Sequence, residues 1–249
     1  MSDAGKLENP FKHKHFWTNT SCFEDDAKVL RHVGDDGIIL DTCIFYPGGG
    51  GQPCDTGFLT AAGHRLDVVA VEEEPGGAII LRTRGQINNK FSVGSSVRQH
   101  LDRDKRHLHM RIHTALHLLT VVLPFPVTGG QITAEKGRLD FKMPALPGEK
   151  EEIEARLNAL VSSDIPVTSE WITADIFARH ASLVKTQMVQ PPILNGMIRL
   201  IRIGASEAPI DLQACGGTHV ESTSSVGAVR ITKVENKGRD NRRVSITVS

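Results

Sequence analysis

The spacing of apolar and polar positions changes character once along the chain. From Gly37 to about Leu101, apolar residues come in short runs at 38–45, 57–60, 64–71, 78–83 and 97–101, rich in Val, Ile and Leu and separated by glycine-containing turns. Runs of this kind predict strands. Several of them with no helix between predict a small barrel. From Asp104 to about Val122 the pattern is helical, with Leu116, Leu119 and Val122 as apolar positions, and Leu123-Pro-Phe-Pro126 ends it. Segments 131–135 and 138–143 flank Lys136-Gly137 as a hairpin, and Glu149 to Ser162 forms a second helix with Ile153, Leu157, Leu160 and Val161 on one face. A strand at 167–172, a short helix after Thr173, a strand at 197–203 and a closing pair at 227–234 and 243–248 complete the reading. The fold class expected is α+β: a small β-barrel-like domain over residues 1–100, then an α+β domain over 101–249 with a mainly antiparallel sheet.

Composition narrows this only a little. The 249 residues are 39% hydrophobic, enough for a substantial core. No apolar run approaches the ~18 residues of a membrane span, and the N-terminal residues show no signal-peptide core, so cytoplasmic residence with no membrane partner is the expectation. Four cysteines are too few for a disulfide framework, and Cys22, Cys43 and Cys54 read as ordinary thiols. Lys12-His13-Lys14-His15 reads as the start of a strand or a basic surface arm, with metal binding by the two histidines a weaker alternative, and Glu72-Glu73-Glu74 reads as a solvated turn.

Net charge is zero, yet five Arg and Lys stand against two Asp in 98–111, and six against one Glu and one Asp in 230–249. Either cluster by itself reads as solvated surface. Because each adjoins one of the two motifs described next, both are expected to border one pocket and to contact a phosphate-bearing substrate.

His113 and His117 stand four apart in a helical stretch and so project from one face, one turn apart. Alone, H-x3-H is as compatible with buried structural histidines as with ligands, since the chain has 11 His. Cys215-Gly-Gly-Thr-His219 adds a thiolate and an imidazole, and Gly216-Gly217 permits the tight backbone that aims both at one point. Together the four residues make a tetrahedral site for one Zn2+ per chain. The glycines 48–51 do not form a nucleotide loop: the Gly-Lys-Ser/Thr ending is missing and Pro53 breaks G-x-G-x-x-G, so no nucleotide cofactor is expected. They read as a turn, or as a place where backbone approaches a ligand or another domain.

The order H-T-A-x-H-L-L, then a distant C-G-G-T-H, resembles the editing domain of alanyl-tRNA synthetase and its free-standing relatives, the AlaX proteins; threonyl-tRNA synthetase editing domains carry a related pattern. The similarity extends to residues 45–57, F-Y-P-G-G-G-G-Q-P-C-D-T-G, which look like the glycine-rich segment of the medium-length AlaX type. The resemblance implies a zinc-dependent deacylase acting in trans on tRNA(Ala) charged with serine or glycine, and it places Gln52, with Gly50 and Gly51, at the substrate. Thr114 offers a hydroxyl suited to reading serine, or is an ordinary helical threonine bonded to a carbonyl. Four protein ligands make a closed metal site, so no general base is named. A non-catalytic zinc-stabilised RNA-binding module and a threonyl-type editing domain are the alternatives. A zincin-like hydrolase lacks its H-E-x-x-H, since Thr114 follows His113.

Overall fold

The computed structural model describes residues 13–179 and 193–249; the readings made on residues 1–12, Lys12 included, lie outside these. Six antiparallel strands form a closed barrel: β1 (Glu24–Val33), β2 (Gly37–Leu40), β3 (Gly57–Ala61), β4 (His64–Glu73), β5 (Ile79–Thr83) and β6 (Ser96–Leu101), in the order β1-β2-β5-β4-β3-β6. Leu59, Leu81, Phe45 and Phe91 fill it, each fully buried. The run at 38–45 is a strand only to Leu40; Cys43 to Tyr46 remain buried but leave the ladder. Strand β1 was not legible, because E-D-D-A-K-V-L-R-H-V turns only Ala27 and Val29 fully inward. It closes the barrel by pairing with β6, where Arg98 meets Glu24 and Asp26 across the ladder.

The segment before β1 is neither strand nor surface arm. It forms the short helix α1 (His15–Thr18), because Phe16 and Trp17 are both buried, and adjacent side chains of a strand would face opposite ways. Lys14 is buried beside it and ion-paired at 2.8 Å to Glu73, so that glutamate belongs to β4 rather than to a solvated turn. His15 pairs with Asp25.

Helix α2 (Arg103–Val122) leaves the barrel directly after β6, with the Asp102 carboxylate capping it through the Lys105 N–H at 3.1 Å. Every residue from Ile112 to Thr120 is buried, so this helix is central rather than amphipathic. It packs on a four-stranded sheet, β12-β13-β8-β7, made of β7 (Val127–Ile132), β8 (Gly137–Phe141), β12 (Val229–Asn236) and β13 (Arg242–Val248), and on helix α3 (Lys150–Ser162). Gly137 allows the close approach: a Cβ there would stand 2.5 Å from the Ile112 side chain. Strands β9 (Val167–Thr173), β10 (Met197–Gly204) and β11 (Pro209–Ala214) form a second sheet, with α4 (Ala174–Ala178) after β9. The architecture is α+β with antiparallel sheets. Among the described residues, no helix is long and apolar enough to cross a membrane.

Barrel and helix are joined by a buried ion pair. Arg106 and Asp55 are 0% and 1% exposed, with Arg106 Nε 3.0 Å from both carboxylate oxygens, and the guanidinium also donates to the carbonyls of Ile44 and Thr20. Breaking one side of such a pair costs about 3–5 kcal/mol, because the other charge is left buried.

Candidate metal centre and cavity

The two motifs meet. His113 and His117 on α2 and Cys215 and His219 on the turn after β11 bring one ligand atom each to within 4.8 Å of one another. Cys215 Sγ lies 3.5 Å from His113 Nε2 and 3.4 Å from His219 Nε2. Tetrahedral Zn–N and Zn–S bonds of ordinary length imply ligand–ligand edges of about 3.4–3.6 Å, so these separations fit the ion. Gly217 is needed for this: a Cβ on it would stand 2.1 Å from His113 Cε1.

Each imidazole is fixed through its other nitrogen. His113 Nδ1 is 2.9 Å from Gln52 Oε1, His117 Nδ1 is 3.0 Å from the Asp211 carboxylate, and His219 Nδ1 is 3.1 Å from the Thr114 hydroxyl. With Nδ1 engaged, Nε2 of each ring is left for the centre, the arrangement that metal-binding histidines need. Burial opposes charging His117, but Asp211 and Cys215 outweigh it and raise its pKa to about 9. Burial alone would raise the Cys215 thiol; the adjacent His113 and His219 imidazoles reverse this and hold it well below its ordinary value. Burial and the two neighbouring histidines push His219 well below its own. A thiolate is thus favoured, which is the form that binds metal, and loading the site would displace the His117 proton.

Two of the residues expected at the substrate, Gln52 and Thr114, hydrogen-bond the ligand histidines. The Gln52 amide is consumed at both ends, by His113 and the Thr218 N–H (3.0 Å) on Oε1 and by the Thr218 hydroxyl (2.8 Å) on Nε2. Thr114 is fully buried, its hydroxyl shared between His219 and the Val220 N–H at 3.3 Å. Neither residue lines the cavity beside the centre; both act on the ligands instead. Gly50 and Gly51 do line it, and all four glycines from 48 to 51 have positive φ. Gly51 also docks on the neighbouring sheet: its carbonyl accepts from the Ile132 N–H at 2.7 Å, and a Cβ would stand 2.8 Å from Gly130 O.

The cavity is about 380 Å3, with His113, His117 and Cys215 at one side and apolar Leu116, Val127 and Leu139 at another. This is within the usual range for small-molecule sites, about 300–1,000 Å3, and admits one end of a polymer rather than its bulk. Thr120 and Gln213 supply polar wall near His117. Asp211 and Gln213 escaped the sequence reading because β11 was not recognised. The available signal was two polar residues in phase on a strand leading into the C-x3-H.

The basic clusters do not border this cavity, for none of their side chains lines it. Arg106 is the buried partner of Asp55, Arg98 pairs with Glu24 and Asp26, Arg111 donates to the carbonyls of Val226 and Ser249, and Arg243 pairs with Asp140. A different arginine lies behind the centre. Arg199 on β10 is buried, donates to the Cys215 and Gly217 carbonyls, and keeps a pKa of about 10, lowered by burial and so still charged at neutral pH.

A family model described as the threonyl and alanyl tRNA synthetase second additional domain matches residues 198–245, and one for class II (A) tRNA synthetases matches 13–105. The alanyl-tRNA editing protein AlaX-M of Methanosarcina barkeri is 31% identical, over 90% of this chain and 94% of its own. The AlaX-M of Saccharolobus solfataricus is 33% identical over the same shares. The alanine-tRNA ligase of Caldivirga maquilingensis is 34% identical over 92% of this chain, which spans only 26% of that ligase.

Proposed function

Because the chain belongs to the AlaX family of alanyl-tRNA editing proteins, we propose that it hydrolyses the ester linking tRNA(Ala) to a wrongly attached amino acid, serine foremost and glycine second. A synthetase pocket shaped for alanine cannot exclude glycine and rejects an added hydroxyl weakly, so a second site with opposite preferences is chemically required. Similarity over nearly the whole length of the AlaX-M proteins supports action in trans, and charged tRNA in the cytoplasm is the substrate pool of this reading. Ester hydrolysis is downhill and needs no nucleotide.

The observation that carries the proposal is the convergence of three imidazoles, each oriented through Nδ1, and the Cys215 sulfur beside the cavity, which His113, His117 and Cys215 line. Zinc is the ion this mixed nitrogen and sulfur donor set suits, one per chain. When bound, it would supply a Lewis acid able to polarise an ester carbonyl or to lower the pKa of water to about 7. The chain's own residues orient and exclude. Gln52, Asp211 and Thr114 hold the ligand rings, and the apolar wall keeps bulk water from the ester. Gly50 and Gly51 present bare backbone to the incoming 3′ end. Thr120 and Gln213 are the polar wall groups within reach of a seryl side chain.

Deacylation of Ser-, Gly- and Ala-tRNA(Ala) measured side by side tests this. Cleavage of the first two with Ala-tRNA(Ala) spared is the expected result. Tight binding of tRNA and metal with no ester cleaved would replace it with a non-catalytic RNA-binding module, and cleavage confined to Ser-tRNA(Thr) with a threonyl-type editing domain.

A further inference from the structure

Three successive carbonyls of the Cys215 turn are pinned from behind by side chains. Cys215 O and Gly217 O accept from Arg199 Nη1 at 3.1 and 2.7 Å, and Gly216 O accepts from the Trp17 indole at 2.7 Å. The described residues contain no cis peptide, and in a planar trans peptide the N–H points opposite to the C=O. Fixing these carbonyls therefore also fixes the direction of the N–H groups of Gly216, Gly217 and Thr218. Two of these are engaged. The Gly217 N–H meets Cys215 Sγ at 3.4 Å, and the Thr218 N–H meets Gln52 Oε1 at 3.0 Å. The Gly216 N–H has no hydrogen-bond partner among the described residues, and Gly216 lines the cavity next to Cys215.

Gly216 is half-buried, and a backbone donor held in a fixed direction at a cavity wall without a protein acceptor is free to serve a ligand atom there. Arg199 strengthens the donor: its hydrogen bond to the Cys215 carbonyl polarises the same peptide unit whose nitrogen is Gly216 N.

Resting on the deacylase reading, we propose that the Gly216 N–H is an oxyanion donor, positioned by Arg199 and Trp17. As the oxygen of a water molecule bonds to the acyl carbon, the carbonyl electron pair moves onto the ester's carbonyl oxygen, which takes its hydrogen bond from Gly216. Return of that pair breaks the bond to the ribose oxygen of the terminal nucleotide. The ribose oxygen keeps the bonding pair and takes up the proton that the water surrenders, leaving a free amino acid and a tRNA hydroxyl. The donor stabilises charge that exists only on the way to products, so its effect belongs in kcat rather than in substrate affinity.

The test replaces Gly216 by glycolic acid, which exchanges the N–H for an ester oxygen and adds no side chain. The expected result is a fall in kcat for Ser-tRNA(Ala) of about 10²-fold, the usual scale for one lost oxyanion donor, with KM and bound metal unchanged. Affinity for a phosphonate analogue of the seryl ester should fall in parallel. A metal-loaded replacement protein with kcat within about twofold of the parent overturns the proposal. Should that protein not fold, Arg199→Met and Arg199→Lys decide. Met should lower kcat and phosphonate affinity with metal retained, and Lys should recover part of both; Met leaving both unchanged overturns the proposal equally. A parent protein that cleaves no tRNA(Ala) ester is a different outcome, the failure of the deacylase reading itself.

Discussion

Gln52 Oε1 lies 2.9 Å from His113 Nδ1, so the glycine-rich loop of the barrel orients a ligand on the helix that follows it. Gln52→Leu keeps bulk but removes the acceptor from both His113 and the Thr218 N–H. Metal affinity should drop about 10- to 100-fold, the scale for losing an orienting partner of a ligand histidine. Competition with a chelating dye measures it; unaltered affinity would return Gln52 to a substrate role.

Gly217→Ala would place a methyl 2.1 Å from His113 Cε1. The ring or the turn must move, with a strain of about 1–3 kcal/mol, and the ligand set is pulled apart. The purified variant should lose most of its metal by elemental analysis, as should Cys215→Ala/His219→Ala, the variant that tests the ligands themselves.

Thr114→Val removes the hydroxyl from His219 and from the Val220 N–H without touching the cavity wall. Activity should fall about tenfold, and equally on seryl and glycyl substrates, since the fault lies in ligand orientation. A loss confined to the seryl substrate would show that Thr114 reads the serine hydroxyl after all.

Arg106→Leu leaves Asp55 charged, buried and without its guanidinium. A destabilisation of about 3–5 kcal/mol is expected, which in a chain of this length lowers the melting temperature on the order of 10 °C. Calorimetry checks it, and a shift of under a degree or two would refute the coupling of barrel to helix through this pair.

His109 is buried, neither ring nitrogen has a partner among the described residues, and burial lowers its pKa from 6.5. The unfolded chain takes up a proton here below about pH 6.5, whereas the folded chain resists until its lower pKa. His109 therefore withdraws stability as pH falls through that window, by up to about 1.4 kcal/mol per unit. His109→Leu should match the parent at pH 8 and exceed it at pH 5 in denaturant melts. Parallel pH profiles would count against this assignment.

The sequence by itself determined the features that depend on neighbours along the chain. Apolar runs between glycine turns placed β3 to β6, and the H-x3-H stood out because a helix sets residues i and i+4 on one face whatever surrounds it. The paired glycines of Cys215 to His219 announced a tight turn for the same local reason. Strand β1 was hidden because its outward side chains are charged and it becomes a strand by closing the barrel against β6, a long-range pairing that overrides weak propensity. Gln52, Asp211 and Thr114 lie 61, 94 and 105 residues from the histidines they orient, so only folding could show which polar side chains serve the centre. That the basic clusters stand away from the cavity was hidden for the same reason. Local charge counts cannot tell that Arg106 is buried on Asp55 or that Arg111 is spent on two carbonyls, because the partner, and not the sign of the residue, decides what a charge does.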